Sequence, residues 1–145
     1  MELLDLPVLL LSAARSLVDG IDAGVRARGF TDLRPAHGFA FARISGGGAT
    51  VVQLAEHLDV TKQAASQMVE DLVTKGYVER RPHPDDARAR LIVLTAKGWA
   101  CTRAAEEAAD EMLRPWAEQM GAERLAALRA DLAKLATPGR LRPAW

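Results

Sequence analysis

Four polar side chains recur at three- and four-residue spacing in the stretch TKQAASQMVEDLVTK: Lys62, Gln63, Ser66 and Gln67. On a helix they share one face, while Ala65, Met68, Val69 and Leu72 share the other. The outward set has the chemistry of base recognition. Glutamine pairs bidentately with adenine, lysine reaches guanine or phosphate, and a serine hydroxyl serves either. A second stretch, RRPHPDDARARL at residues 80–91, holds four arginines, two aspartates, a histidine and two prolines between the strand-like runs YVERR and RLIVL. Arg81 and Arg90 stand at its stems, within reach of phosphates flanking a groove, although strand-surface solubility explains them equally well. His83, beside Pro82 and Pro84, reads as a solvated loop histidine.

The elements that must position these groups follow from periodicity and punctuation. Residues 3–28 read as a helix with Leu6, Leu10, Leu17, Ile21 and Val25 on its stripe, Pro7 in the first turn or at a kink, and Gly29 at the end. Its apolar stripe is wider than one small core needs, which leaves surface for a second subunit. Residues 35–44 form a short helix opened by Pro35. Thr50 can cap VVQLAEHL, Asp59 breaks it, and Thr61 can cap the polar-faced helix, which ends at Gly76. Two helices joined so tightly have helix-turn-helix spacing. A hairpin follows, its loop PHPDDA barred from helix by proline. From Thr95 a long helix carries Cys101, Ala105, Ala108, Met112, Trp116 and Met120 and ends at Gly121; a last one carries Leu125, Leu128, Leu132 and Leu135 and stops at TPG, 137–139. No internal repeat is present.

The expected fold is mainly α with a small β-hairpin wing: a winged helix-turn-helix with N- and C-terminal helices. Residues 1–145 form a single domain, with a DNA-binding lobe at 35–97 and a helical dimerisation region at 1–30 and 98–145. Bulk properties constrain function further. Lys plus Arg equals Asp plus Glu at 19 each, so no global positive field announces a nucleic acid. Residues 34–97 carry nine basic and seven acidic groups, and any DNA binding rests on local arrangement. Cys101 is the one cysteine, no Cys/His spacing suits zinc, and neither metal nor cofactor is expected. LPVLLLSAA is too short to span a bilayer, and Glu2 and Asp5 replace the positive start of a signal peptide, so a cytoplasmic protein without a membrane partner is expected.

The residues LAEHL, the helix after them, KGYVERR, Asp86-Ala87-Arg88 and LTAKG carry a family resemblance. Residues 51–98 resemble the MarR (multiple-antibiotic-resistance regulator) family of winged-helix transcription factors. The resemblance implies double-stranded DNA and a second copy of the chain as partners, with intertwined terminal helices, and a repressor of a near-palindromic site. It implies that Arg88, at the arginine of the family's Asp-x-Arg wing motif, enters the minor groove. Asp86 is then a brace that orients an arginine through a charge-assisted hydrogen bond. It further implies a small aromatic or lipophilic effector, with His37, Phe39, Phe41, Trp99 and Trp116 as candidate pocket residues; at helical spacing such aromatics are more often plain core. Relatives commonly carry a basic residue at the positions of Gln67 and Asp71, and with Glu70 the later part of the recognition helix is acidic, so either a modest affinity or binding confined to an unusual sequence is expected.

Two rival classes stand beside this reading. An enzyme is disfavoured, because no phosphate loop, carboxylate pair, Ser/His/Asp set or metal spacing is found, and Gly46-Gly47-Gly48 lacks a nucleotide loop's flanks. A winged-helix protein-interaction module that does not bind DNA is favoured by the zero net charge and by Glu70-Asp71. Cys101, on an apolar helical stripe without a resolving thiol, reads as buried structure.

Overall fold

A computed structural model describes residues 3–137, 139 and 141. Among them run α1 (Leu6–Ala27), α2 (Pro35–Ile44), α3 (Val51–Leu58), α4 (Lys62–Thr74), the strands β1 (Val78–Pro82) and β2 (Arg90–Leu94), α5 (Ala96–Met120) and α6 (Ala122–Leu135). They form two compact units, one of Asp32–Arg103 with Thr137, the other of the residues up to Thr31 with Ala104–Ala136.

In the first unit, local chemistry sets each boundary. The Thr50 hydroxyl accepts the Gln53 N–H at 3.2 Å and the Gln53 side chain accepts the Thr50 N–H at 3.0 Å, a reciprocal capping box that opens α3. Asp59 then adopts the left-handed region, φ 53°, and the Val60 N–H returns to the Ala55 carbonyl at 3.0 Å, which reverses the chain within three residues. The Thr61 hydroxyl accepts the Ala64 N–H at 3.0 Å and starts α4. Gly76, with φ 83°, stops α4 in a conformation that costs a residue with a Cβ. The core between these helices and the hairpin comprises Ala40, Phe41, Ile44, Leu54, Leu58, Ala65, Val69, Leu72, Tyr77, Val78, Ile92 and Leu94. Each buried large side chain contributes about 1.5–3 kcal/mol. Met68 of the expected inward stripe is only half-buried.

The strands pair antiparallel with Val78 opposite Leu94, Arg80 opposite Ile92 and Pro82 opposite Arg90. Pro82, expected in the loop, instead closes β1, where its missing N–H leaves no ladder bond in the sheet interior unfilled. On the far side of β2, Ala49 exchanges hydrogen bonds with Ile92 at 3.0 and 2.8 Å, so the segment before α3 is stitched to the wing.

In the second unit, α1 meets α5 through small residues. A Cβ added at Gly20 would lie 2.2 Å from Met112 Sδ, and one at Gly24 2.5 Å from the Ala108 Cβ, so the two glycines permit the close approach. Arg28 closes the contact, with Nε 3.2 Å from Glu107 and a terminal nitrogen 2.8 Å from Glu111. Helix α1 begins three residues later than the periodicity predicts, at Leu6 instead of Leu3, with Pro7 in its first turn, where the missing N–H costs nothing. Its first two turns stay uncovered: Val8 and Leu11 are each 67% exposed, and Leu4, just before the helix, is 82% exposed. No residue of α6 is fully buried, and Leu135 is 78% exposed. The final stop is made at Ala136; Pro138 of the expected TPG lies outside the described residues.

Candidate nucleic-acid interface

The turn between α3 and α4 leaves the front of α4 bare. Lys62, Gln63 and Gln67 are exposed and Ser66 half-buried, while Ala65, Val69 and Leu72 are sealed into the core. Glu70 continues the outward stripe one turn further. The polar end of α4 is therefore held rigidly by its buried side, the arrangement a groove-reading helix needs.

Register decides what the wing's arginines do. Residues directly opposite in an antiparallel pair project to the same face, so Arg80 lies on the face of buried Ile92 and Arg90 on that of Pro82, while Arg81 lies with Leu91 on the other. Arg81 and Arg90, read from sequence as a pair flanking one groove, thus project from opposite faces. Arg81 is also engaged, its Nε donating to Glu79 at 2.9 Å. Arg80, which sequence reasoning passed over, reaches from the wing to α4 and forms an ion pair with Glu70. The two-residue alternation of VERR was the signal available for this.

At the tip, Arg88 and Arg90 are exposed. Asp86 Oδ1 accepts the backbone N–H of Arg88 at 2.9 Å, so the contact made by Asp86 is to main chain and not to a guanidinium. Two-residue spacing explains this, because an aspartate readily closes a turn on the N–H two positions ahead. His83 is half-buried, and its Nδ1 accepts the Asp85 N–H at 3.1 Å.

A polar network at the base of α4 was not visible in sequence. Tyr77 donates its hydroxyl hydrogen to Asp32 Oδ1 at 2.6 Å; that bond holds the Asp32 carboxyl below its ordinary range, while burial, then Asp32, holds the phenol above its own. Lys75 Nζ donates to the Asp32 carbonyl at 2.7 Å and pairs with Asp71 at 3.0 Å. Lys97 Nζ lies 4.3 Å from the Tyr77 ring centroid, a cation–π contact. The acidic pair that sequence reading took as a bare negative patch is thus neutralised in place, Glu70 by Arg80 and Asp71 by Lys75.

The candidate pocket residues separate. Phe41 packs on Tyr77 with ring centroids 5.6 Å apart, within the core. His37 is 1% exposed; its Nδ1 accepts the Arg34 N–H at 2.8 Å, which leaves the proton of the neutral ring on Nε2, 3.7 Å from Asp71. Burial pushes the His37 pKa from 6.5 down to about 4, assisted by Arg34 and Lys75 and opposed by Asp71 and Asp32. Phe39 is half-buried and Trp99 exposed; Trp116 is half-buried in the other unit. Cys101 is buried, which pushes its thiol up to about 11 and leaves little thiolate near neutral pH. Among the described residues no group of side chains is arranged to hold a metal, and no helix is long and apolar enough to cross a membrane.

Comparison with known proteins agrees with this geometry. Residues 30–89, from the end of α1 to the wing tip, match the model of the MarR family. The chain carries a MarR-family domain. The multiple antibiotic resistance protein MarR of Escherichia coli is 33% identical over 87 residues, which span 59% of this chain and 60% of that relative. An uncharacterised Mycobacterium tuberculosis protein is 33% identical over 92 residues, 63% of this chain and 64% of its own length. Among solved structures, a cysteine-to-serine mutant of Escherichia coli MarR complexed with operator DNA superposes with a TM-score of 0.72 at 25% identity, covering 94% of this chain and 96% of that one. A second Mycobacterium tuberculosis protein gives 0.74 at 28% identity over 92% and 93%. The MarR-family domain thus lies in a mostly helical, winged-helix chain whose likeness to these structures extends well beyond the matched segment.

Proposed function

We propose that this chain is a sequence-specific DNA-binding transcriptional regulator, acting in the cytoplasm as a dimeric repressor of a near-palindromic operator and released by a small aromatic or lipophilic ligand. The observation that carries the reading is the pairing of a capped, outward-polar α4 with an exposed arginine on the wing beside it. A helix suits the major groove and a single arginine the minor groove. The likeness to a MarR structure complexed with operator DNA supports the same assignment. In it, Lys62, Gln63, Ser66 and Gln67 read bases and phosphates, Arg88 enters the minor groove and Arg90 is a flanking contact, whereas Arg81, on the opposite face of the hairpin and held by Glu79, does not share that groove.

A second copy fits the uncovered apolar surface of α1 and α6, and two-fold symmetry doubles the readout. Ligand release has its support in Phe39 and Trp99, the aromatic groups of the first unit that are not buried. The non-DNA-binding module keeps the zero net charge in its favour but loses the support of Glu70 and Asp71, which pair with Arg80 and Lys75.

Selection of bound duplexes from a random pool tests the reading. A two-fold symmetric site, bound with affinity that falls steeply as salt rises, is expected. Failure to retain any duplex at low ionic strength refutes it. With the selected duplex in hand, titration with small aromatic carboxylates is expected to release it.

A further inference from the structure

Glu70 occupies the outward stripe of α4 one turn beyond Gln67, where the next contact of a groove-reading helix is a backbone phosphate. Its carboxylate holds Arg80, which the strand register aims at α4 from the wing. The two side chains are 61% and 34% exposed, and a pair so open to water adds little to stability. A backbone phosphodiester carries the same single negative charge as the carboxylate it would displace and, like it, offers a guanidinium two oxygens. Within the wing and α4, moreover, cations are few: Arg81 is held by Glu79 and Lys75 by Asp71, and only Lys62, Arg88 and Arg90 make no ion pair among the described residues.

We propose that Glu70 is an internal stand-in for a DNA phosphate, and that it withholds Arg80 from duplexes that α4 and the wing do not fit. On a poorly matched duplex, exchanging carboxylate for phosphate exposes Glu70 beside other phosphates for no gain. On a matched one, the α4 and wing contacts bring a phosphate close enough to take Arg80. Glu70 is in this sense a specificity-determining residue that lowers non-specific affinity more than specific affinity. The proposal rests on the DNA-binding reading above.

The test measures binding of a labelled random-sequence duplex and of the selected duplex across a salt series, for the full-length chain and for Glu70→Gln, Arg80→Gln and the double variant. Glu70→Gln is expected to bind the random duplex roughly three- to tenfold more tightly and to steepen its salt slope by about one unit, the signature of one added phosphate contact. The ratio of specific to random affinity falls. In the double variant the gain disappears. Three results overturn the proposal: no gain in Glu70→Gln, a loss of all binding in it, or a gain that persists without Arg80, which would mean that Glu70 acts only through its own repulsion. If the unsubstituted chain binds no duplex at all, the DNA-binding reading itself fails, and the proposal with it. Unchanged circular dichroism and thermal midpoint in each variant separate these outcomes from misfolding.

Discussion

Asp86 Oδ1 accepts the main-chain N–H of Arg88 at 2.9 Å, which sets the wing's tip through backbone and leaves the Arg88 guanidinium to project outward. A neutral amide oxygen at the same place can accept that bond too. Asp86→Asn, which keeps the acceptor, should bind the selected duplex within about twofold of the parent chain, whereas Asp86→Ala loses the turn and on the order of 0.5–1 kcal/mol of binding. Fluorescence anisotropy separates the two; equal losses in both variants would mean that the charge, and so a guanidinium contact, is what matters.

Arg88→Ala should weaken that binding by roughly 1–3 kcal/mol, the worth of a good base-edge contact, without lowering the urea midpoint. Unchanged affinity would remove the wing from readout.

For α4 the expected effect is on preference. Gln63→Ala or Gln67→Ala should relax selection at particular base pairs in a repeated duplex selection. A uniform loss across all sequences would show that these side chains meet phosphates only.

Thr61→Ala removes the hydroxyl that accepts the Ala64 N–H, and loss of such a cap costs about 1 kcal/mol. Urea unfolding should show the loss, and Thr61→Ser should restore most of it.

His37 gives the fold a defined acid weakness. Its folded pKa, about 4, lies below the ordinary 6.5, so above 6.5 the ring is neutral in both states and nothing is lost. As pH falls from 6.5 towards 4 the unfolded state takes up a proton that the folded state refuses, and stability declines by up to about 3 kcal/mol. Chemical unfolding across that window should show the slope, and His37→Phe should flatten it whatever its baseline stability.

Val8 and Leu11 are neighbours on α1, and with Leu4 before the helix they are exposed apolar side chains. Sedimentation should find the parent chain dimeric, and Val8→Glu with Leu11→Glu should shift it towards monomer while weakening duplex binding by more than tenfold, since a half-site's contacts are then unshared.

The order of elements, both threonine caps, the Asp59 break, the glycine stops and the hairpin were legible in the sequence. Each is a bargain among residues a few positions apart, and periodicity or a single side chain records it. The faces of α4 were legible for the same reason, because a helix fixes which residues share a side. What the sequence left open were relations across the fold. Arg81 and Arg90 look equivalent in RRPHPDDARARL, yet strand register, set by the pairing of Arg80 with Ile92, turns them to opposite faces. Glu70-Asp71 looks like a negative patch, yet Arg80 and Lys75 neutralise it. His37 looks like a pocket histidine, yet it lies inside the core with Nδ1 taken by the Arg34 N–H. Local chemistry determines where the chain bends and stops; which charges meet depends on where distant segments come to rest, and only tertiary packing decides that.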